Sequence, residues 1–589
     1  MKTHTKRNRK LLAQRSQRRL AFEKLENRRV FAGVTFSFSG GYATVTGTSS
    51  GETIEVRDNS GNLGLQVNGS PVAIPVVSTA STIGVVIYGG EGNDTLILNN
   101  NLGAKFGFLY GQGGDDSLNG GLGLDRLYGG TGLDSFDGGA AGQDNIFSDP
   151  DDYVSGSINA NGGPGPESDY LYLSAATTII LTNAMQLEMV FGSEGPDVIN
   201  ASAVSSSLQL YGMGGNDLIT GGTAGDILFG GDGDDTLNGT SGNDTYRPGL
   251  GMDTIIATND SISYREVQTG LTIDILGNTI TGTGVNSTIT GVILHVEGTS
   301  FNDTIIGNSF ANNISGRGGD DTIEGRGGAD RLQGDAGNDT ATYANSPAGV
   351  IAYLSGSPGV GGDAAGDTIF DVENLTGSPF NDTLEGNSGS NVLTGLGGDD
   401  VLYGRLGDDT LIGMGGNDFL YGGEAGSTDK DSMDGGDGDD RFYADASDID
   451  GSGVLLVTAG SGNDRVDPRS ATAGPVNWII PGGIETVSGT NLNDVLNASG
   501  VANGLRIFGN DGDDTITGGS GTDFLYGGNG KDVILGGAAV DRIFGEAGDD
   551  TLDGGNDGVV DILDGGLGTD TGTLNSAPAD SLSNIEVIV

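Results

Sequence analysis

Short apolar triplets alternate with runs of glycine and aspartate along almost the whole chain. In GGDGDDTLN (230–238) and GGSGTDFLY (518–526) a large apolar residue stands eighth. Alternation with period two over so few residues predicts very short β-strands with one buried face, and the glycines before them predict tight turns. The stretch VTFSFSGGYATVTG alternates over a longer run and predicts a β-rich N-terminal cap over 34–88.

The pattern has a period of nine. Asp217, Asp226, Asp235, Asp244 and Asp253 follow one another at that interval, as do Asp514, Asp523, Asp532, Asp541 and Asp550. Asp303, Asp321, Asp330 and Asp339 keep the register, with Asn312 in the vacant slot. Asp382, Asp400, Asp409 and Asp418 do the same around Asn391. Asp116, Asp125 and Asp134 form a shorter run, and Asp144 follows after one inserted residue. Asp94, Asp197, Asp440, Asp494 and Asp570 hold the same place in less regular stretches. A repeat of this length marks a stacked architecture in which each unit buries its apolar face on the next.

Composition sharpens this picture. The 112 glycines lack a collagen triplet, and the apolar period separates the chain from a disordered acidic polymer. There is no cysteine, hence no disulfide and no thiolate metal site. Residues 1–33 carry eleven Lys/Arg and two Asp/Glu, a net +9, which leaves −62 on the remainder of a chain whose total is −53. So acidic a body repels nucleic-acid phosphates and attracts cations. No run of about 18 apolar residues occurs, so no transmembrane span is expected. Carboxylates with glycine-rich turns suit calcium, which takes 6–8 hard oxygen ligands at about 2.3–2.6 Å. Glycine lets the turn reach positive φ so that carbonyls can converge. With only two histidines, zinc, copper and iron are poor candidates, and magnesium demands stricter octahedral geometry.

The form G-G-x-G-x-D-x-U-x, with U large and apolar, resembles the RTX, or hemolysin-type, calcium-binding repeat over most of residues 85–573. The resemblance implies an all-β fold, a parallel β-roll or β-solenoid of stacked nonapeptides arranged in several modules. In that family each nonapeptide is a six-residue turn followed by a three-residue strand. Two make one coil, so turns 18 residues apart stack on the same side. Ca2+ then sits between stacked turns, held by turn carbonyls and sixth-position aspartates, and roughly a dozen ions are expected. Carried over, the resemblance pairs Asp217 with Asp235, Asp226 with Asp244 and Asp235 with Asp253. It likewise pairs Asp514 with Asp532, Asp523 with Asp541 and Asp532 with Asp550. Turns with Asn312, Asn391 or Asn503 at the sixth position lack the charge and are expected to complete rungs without an ion.

Larger modules open on acidic-apolar strands: QLEMVFGSEGPDVINAS (186–202), ILHVEGTSFNDTIIGNS (293–309), DVENLTGSPFNDTLEGNS (371–388) and GIETVSGTNLNDVLNAS (483–499). The expected RTX modules are 89–147, 186–256, 293–342, 371–443 and 483–573. Between them lie β linkers at 148–185 and 444–482 and metal-free linker rungs at 257–292 and 343–370, the latter two carrying LTIDILGNTITGTG and GVIAYLSGSPGVGG. The basic segment 1–33 ends in AFEKLENRRVFAG, where Phe22, Glu23, Leu25, Glu26, Arg28 and Ala32 resemble the leader motif of large planctomycete surface proteins. That resemblance implies an export or surface address; a basic arm lying on the acidic body is the other reading. The tail 574–589 ends in NIEVIV, which resembles a type I secretion tail and equally the opening strand of a further module.

No catalytic motif stands out. His4 and His295 are the only histidines, so H-E-x-x-H is absent, and His295 reads as an ordinary strand residue. The repeats leave no free stretch of about 150 residues for a catalytic domain. The chain is therefore expected to be non-enzymatic: an extracellular or cell-surface calcium-binding protein with a structural or adhesive role, partnered by calcium and by surface polysaccharide or matrix. The alternative is a secreted polysaccharide-acting enzyme built on the solenoid, for which paired carboxylates are abundant. Trp478 and the tyrosines ending several repeats could stack on sugars, although packing along the roll is the expected role.

Overall fold

The computed structural model describes residues 29–31, 33–153, 159–164, 168–424, 428–470, 474–573 and 580–589. The leader motif from Phe22 to Arg28, with Ala32, lies outside them. Helix among the described residues is limited to five single-turn 3-10 segments, and the rest is short strand and turn. The chain divides into two units, Met1–Asp244 and Thr245–Val589.

The first unit begins antiparallel. Val34–Ser39 pairs with Tyr42–Thr46, and Thr53–Asn59, Asn62–Val67 and Ser70–Val72 form a meander. From there every pairing is parallel. Tyr42–Thr46 leads into Gly84–Glu91, Phe106–Gly113, Asp125–Thr131, Asn145–Ser148, Tyr170–Leu173, Met189–Phe191, Gln209–Gly214 and Ile227–Asp232. Thr53–Asn59 leads the opposing stack of Thr95–Leu98, Ser117–Asn119, Ser135–Asp137 and Asn159–Asn161. Each coil thus gives one strand to each of two parallel sheets, the arrangement of a parallel β-solenoid.

The second unit repeats this plan. A twelve-stranded parallel sheet runs from Ile351–Tyr353 to Ser581–Ser583 and a seven-stranded one from Asn477–Ile479 to Val587–Ile588. In the regular region the partners are 18 residues apart, as in Leu525 with Ile543 and Ile516 with Ile534. Insertions are absorbed in the turns: Leu402 and Leu420 are 18 apart, whereas Leu420 faces Phe442 across 22 residues. A hairpin of Leu271–Asp274 and Thr279–Gly282 is inserted without breaking the stack, because Leu271–Asp274 still pairs in parallel with Thr304–Ile306.

The eighth-position residues form the core. Leu109, Leu127, Leu210, Leu228, Leu525 and Ile543 are fully buried. A fully buried Leu or Ile is worth about 1.5–3 kcal/mol relative to exposure, and one recurs every nine residues. The ninth position points outward, and there the first unit carries an unbroken aromatic column: Tyr88, Tyr110, Tyr128, Phe147, Tyr172, Phe191, Tyr211 and Phe229. Successive rings lie 4.0–4.8 Å apart at interplanar angles of 4–13°. The parallel register brings identical positions together, and such stacking adds about 0.5–1.5 kcal/mol per pair. Beside it runs a second outward column, two residues earlier in each strand: Val86, Phe108, Arg126, Asn145, Tyr170, Met189, Gln209 and Ile227. The second unit has two shorter stacks, Tyr403–Tyr421–Tyr443 and Phe508–Tyr526–Phe544.

Candidate metal centre

The turn positions the acids. In GGNGKDVIL (527–535), Gly528 and Gly530 have φ of +114° and +141°, which bends the chain so that Asp532 projects inward beneath the stacked turns. Every sequence-predicted aspartate, from Asp94 to Asp570, is buried, none more than 3% exposed. They form ladders. The amide of Asp514 donates to Oδ1 of Asp532 at 2.8 Å, Asp532 to Asp550 at 2.9 Å, and Asp550 to Asp570 at 2.8 Å. Asp523 donates to Asp541 at 2.9 Å in the companion ladder on the other turn. The same link joins Asp94 to Asp116, Asp116 to Asp134, Asp125 to Asp144, Asp217 to Asp235 and Asp226 to Asp244. It recurs from Asp303 to Asp321 and Asp339, and from Asp382 through Asp400 and Asp418 to Asp440.

One carboxylate oxygen is thereby satisfied. The other divides the residues into two kinds. At the head of six ladders, Asp197, Asp226, Asp303, Asp382, Asp494 and Asp523 accept at both oxygens. The second donor there is the amide four residues earlier, for example Thr490 N–H to Asp494 Oδ2 at 2.5 Å. In the interior, Oδ2 of Asp116, Asp134, Asp321, Asp330, Asp400, Asp409, Asp418, Asp514, Asp532, Asp541 and Asp550 is buried with no hydrogen-bond partner. Main-chain carbonyls lie in the same neighbourhood: a Cβ built on Gly527 would collide with Asp532 Oδ2 and lie 2.9 Å from the carbonyl oxygen of Gly545, one coil on. A carboxylate oxygen buried without a donor is costly to charge. Asp330 and Asp400 are pushed up to about 8, Asp514 to about 7 and Asp532 to about 6, in each case chiefly by desolvation. A cation is what the donor set lacks. Among the described residues no three acidic or imidazole side chains converge on one point, so carbonyls must supply much of any oxygen cage.

The asparagine slots stand at the heads of their ladders and are satisfied without an ion. Asn391 Oδ1 accepts from Asn387 N–H at 2.8 Å, while its Nδ2 donates to the Glu373 carbonyl at 2.8 Å. Asn312 accepts from Asn308 N–H at 2.9 Å and donates to the Ile293 carbonyl. Its amide thus puts a proton where an aspartate puts a lone pair. Asn503 does not occupy the ladder position. Leu505 does, its N–H donating to Asp523 Oδ1 at 2.8 Å, because the two-residue insertion between Asp494 and Asp514 shifts the count.

The ladders also contain acids outside the regular register. Asp152, Asp169, Asp367, Asp431, Asp448, Asp464, Asp561 and Asp580 accept from the coil before, across intervals of 17–37 residues. Four glutamates close runs: Glu188 on Asp169, Glu373 on Asp339, Glu485 on Asp464 and Glu586 on Asp570, at 2.7–2.9 Å. A signal for three of them exists, since Glu188, Glu373 and Glu485 stand nine residues before Asp197, Asp382 and Asp494. Glu586 belongs to NIEVIV, whose Val587–Ile588 pairs in parallel with Thr571–Thr573 as a further rung.

A second ladder lies outside, at the fifth position. Asp399 Oδ1 accepts from Asn417 N–H at 2.8 Å, Asn417 from Asp439 at 2.9 Å and Asp439 from Asn463 at 2.9 Å. These side chains reach forward to the next coil, whereas the inner aspartates reach back. Trp478 is fully buried, its indole N–H donating to the Asp445 carbonyl at 3.2 Å, so it offers no face to a sugar. His295 is exposed within the strand Val285–Glu297.

Stacked two-turn coils carrying buried acids at one turn position define a parallel β-roll repeat protein. A family model of the RTX calcium-binding nonapeptide repeat (4 copies) matches residues 85–100, 110–147, 211–246, 297–341, 376–448 and 506–571. The chain is an RTX calcium-binding repeat protein. A search of the curated proteins found no match to it.

Proposed function

We infer that the chain is an extracellular protein whose β-roll forms when Ca2+ binds, and that it serves a structural or adhesive role at the cell surface or in matrix. The observation that carries this reading is the buried, unbonded Oδ2 in the interior of each ladder. Calcium supplies positive charge and accepts oxygen ligands at that point. Asp116 with Asp134, Asp400 with Asp418, and Asp514, Asp532 and Asp550 in succession would hold it, helped by turn carbonyls such as that of Gly545. Asp197, Asp226, Asp303, Asp382, Asp494 and Asp523 already have hydrogen bonds at both oxygens, so their role is to start the stack. About a dozen ions would return about +24 to a body of −62. Much of the repulsion against compaction is thereby lifted, and binding energy becomes folding energy. Extracellular calcium modules have dissociation constants of about 10⁻⁴–10⁻³ M, suited to external media and too weak for cytosol. The modules read from the sequence, together with the intervening rungs, are proposed as one continuous scaffold within each unit. No helix among the described residues is long and apolar enough to cross a membrane.

Circular dichroism of the full-length protein in chelator at neutral pH tests the reading. The expected result is coil that turns to β on adding calcium, and much less on adding magnesium. A complete β spectrum in chelator would overturn it.

A further inference from the structure

We propose that the outer aromatic strip of the first unit binds flat aromatic acids, which lie across the ring edges with their acid group on Arg126. Three observations lead there. First, the stack hides the ring faces. Tyr110 and Tyr128 sit 4.7 Å apart at 7°, and Phe147 follows at 4.3 Å, so what the half-buried rings present to solvent is a row of edges. Ring edges are the positive rim of the aromatic quadrupole, and their preferred partner is the negative face of another ring. Second, the protein already makes this contact with itself. Tyr170, in the neighbouring column, stands at 74° to Tyr172 and 78° to Phe191, bridging two successive rungs at centroid distances of 6.4 and 6.2 Å. An added ring beside Tyr110, Tyr128 and Phe147 would repeat that geometry.

Third, the charge pattern selects an acid. Within residues 33–244 there are three Lys/Arg, of which Arg126 is one, and the two outward columns contain no Asp or Glu. Arg126 is exposed, lies 5.8 Å from the Phe108 ring centroid and has no ion-pair partner among the described residues. The strip stays uncharged otherwise, since burial pushes the Tyr110 hydroxyl up to about 12. A carboxylate or sulfonate on a flat ring would meet the guanidinium while its ring covers the edges. A flexible aliphatic acid could satisfy Arg126 but not the quadrupole.

The test uses full-length protein in calcium, its fold checked by circular dichroism, and titrates 1-pyrenesulfonate by fluorescence and 1-octanesulfonate by competition. Saturable binding of pyrenesulfonate is expected, with octanesulfonate at least tenfold weaker. The double variant Tyr110→Thr/Tyr128→Thr should lose at least tenfold; threonine is tolerated in this column, since Thr46 is the rung before Tyr88. Tyr128→Phe should bind as the parent does. Arg126→Gln, at an exposed site outside the stack, should weaken pyrenesulfonate severalfold while leaving the fold unchanged. No saturable binding, equal affinity for octanesulfonate, or unchanged binding by the folded double variant or by Arg126→Gln would each overturn the proposal.

Discussion

At the residue scale, the difference between aspartate and asparagine decides whether a rung needs an ion. Asn391 and Asn312 show a neutral ladder head: Oδ1 accepts from the amide four residues earlier and Nδ2 donates to a carbonyl of the coil before. In the interior, Asp532→Asn would keep Oδ1 on Asp514 N–H and put an amide donor where Oδ2 is unbonded. Removing a buried charge that calcium would otherwise compensate should raise the stability of the calcium-free chain, by about 1–3 kcal/mol, and weaken calcium binding at both adjoining sites. Parallel melts in chelator and in calcium check this; a loss of stability in chelator would argue that Asp532 is not an uncompensated anion. The converse change, Asn312→Asp, should increase the calcium needed for folding, read as a rightward shift of the titration midpoint. Asp494→Asn probes the other kind of residue. Its two oxygens take main-chain donors, Val476 N–H and Thr490 N–H, so an amide nitrogen on either side would face one of them, and stability should fall with and without calcium.

At the scale of the element, first-position glycine and second-position glycine serve different ends. The second position sits at positive φ even where it is Met213, Arg317, Leu396 or Glu546, at 72–83°, so side chains are tolerated there at some strain. The first position has no unusual φ at Gly527 but no room, since a Cβ would strike the Asp532 carboxylate. Gly527→Ala should therefore cost about 1–3 kcal/mol and impair calcium-dependent folding. Gly500→Ala, where a Cβ meets nothing within 4 Å, should change stability little. Comparable calcium titrations of the two variants would sink the distinction. The strand and turn of each nonapeptide are legible in sequence because period nine fixes which residue faces in. The terminal acids are less so. Asp431 and Asp464 follow insertions that lengthen a coil to 22 or 24 residues, and spacing alone cannot tell an insertion from the end of a run. The glutamate closures hide for another reason: their extra methylene lets them reach the amide from strands that lack the glycine turn.

For the whole molecule, the dominant quantity is charge held against burial. Burial raises the interior aspartates, Asp532 to about 6 and Asp400 to about 8, above the unfolded value near 3.9, so the fold prefers them protonated. Their contribution to calcium-free stability is full below about pH 4 and is lost as pH rises through 6 to 8. In chelator, then, β signal should grow as pH falls from 8 toward 5, and calcium should matter most at the alkaline end. A calcium-free fold that strengthens with rising pH would contradict the burial seen here. The apolar core was accessible from the repeat, and the parallel stacking of coils from the resemblance to RTX repeats. The stacked aromatic column was not, because whether ninth-position rings meet depends on every coil between Tyr88 and Phe229 keeping its register through insertions.

The opposed reach of the two carboxylate ladders has a mechanical consequence. Between neighbouring coils, the inner link is anchored by a side chain of the later coil, as Asp440 holds Asp418, and the outer link by a side chain of the earlier one, as Asn417 holds Asp439. Tension that slides one coil past the next loads both at once, and twisting the turn to slacken one tightens the other. Within each unit such an interface has no weak side: coils stripped from either direction should meet both kinds of link.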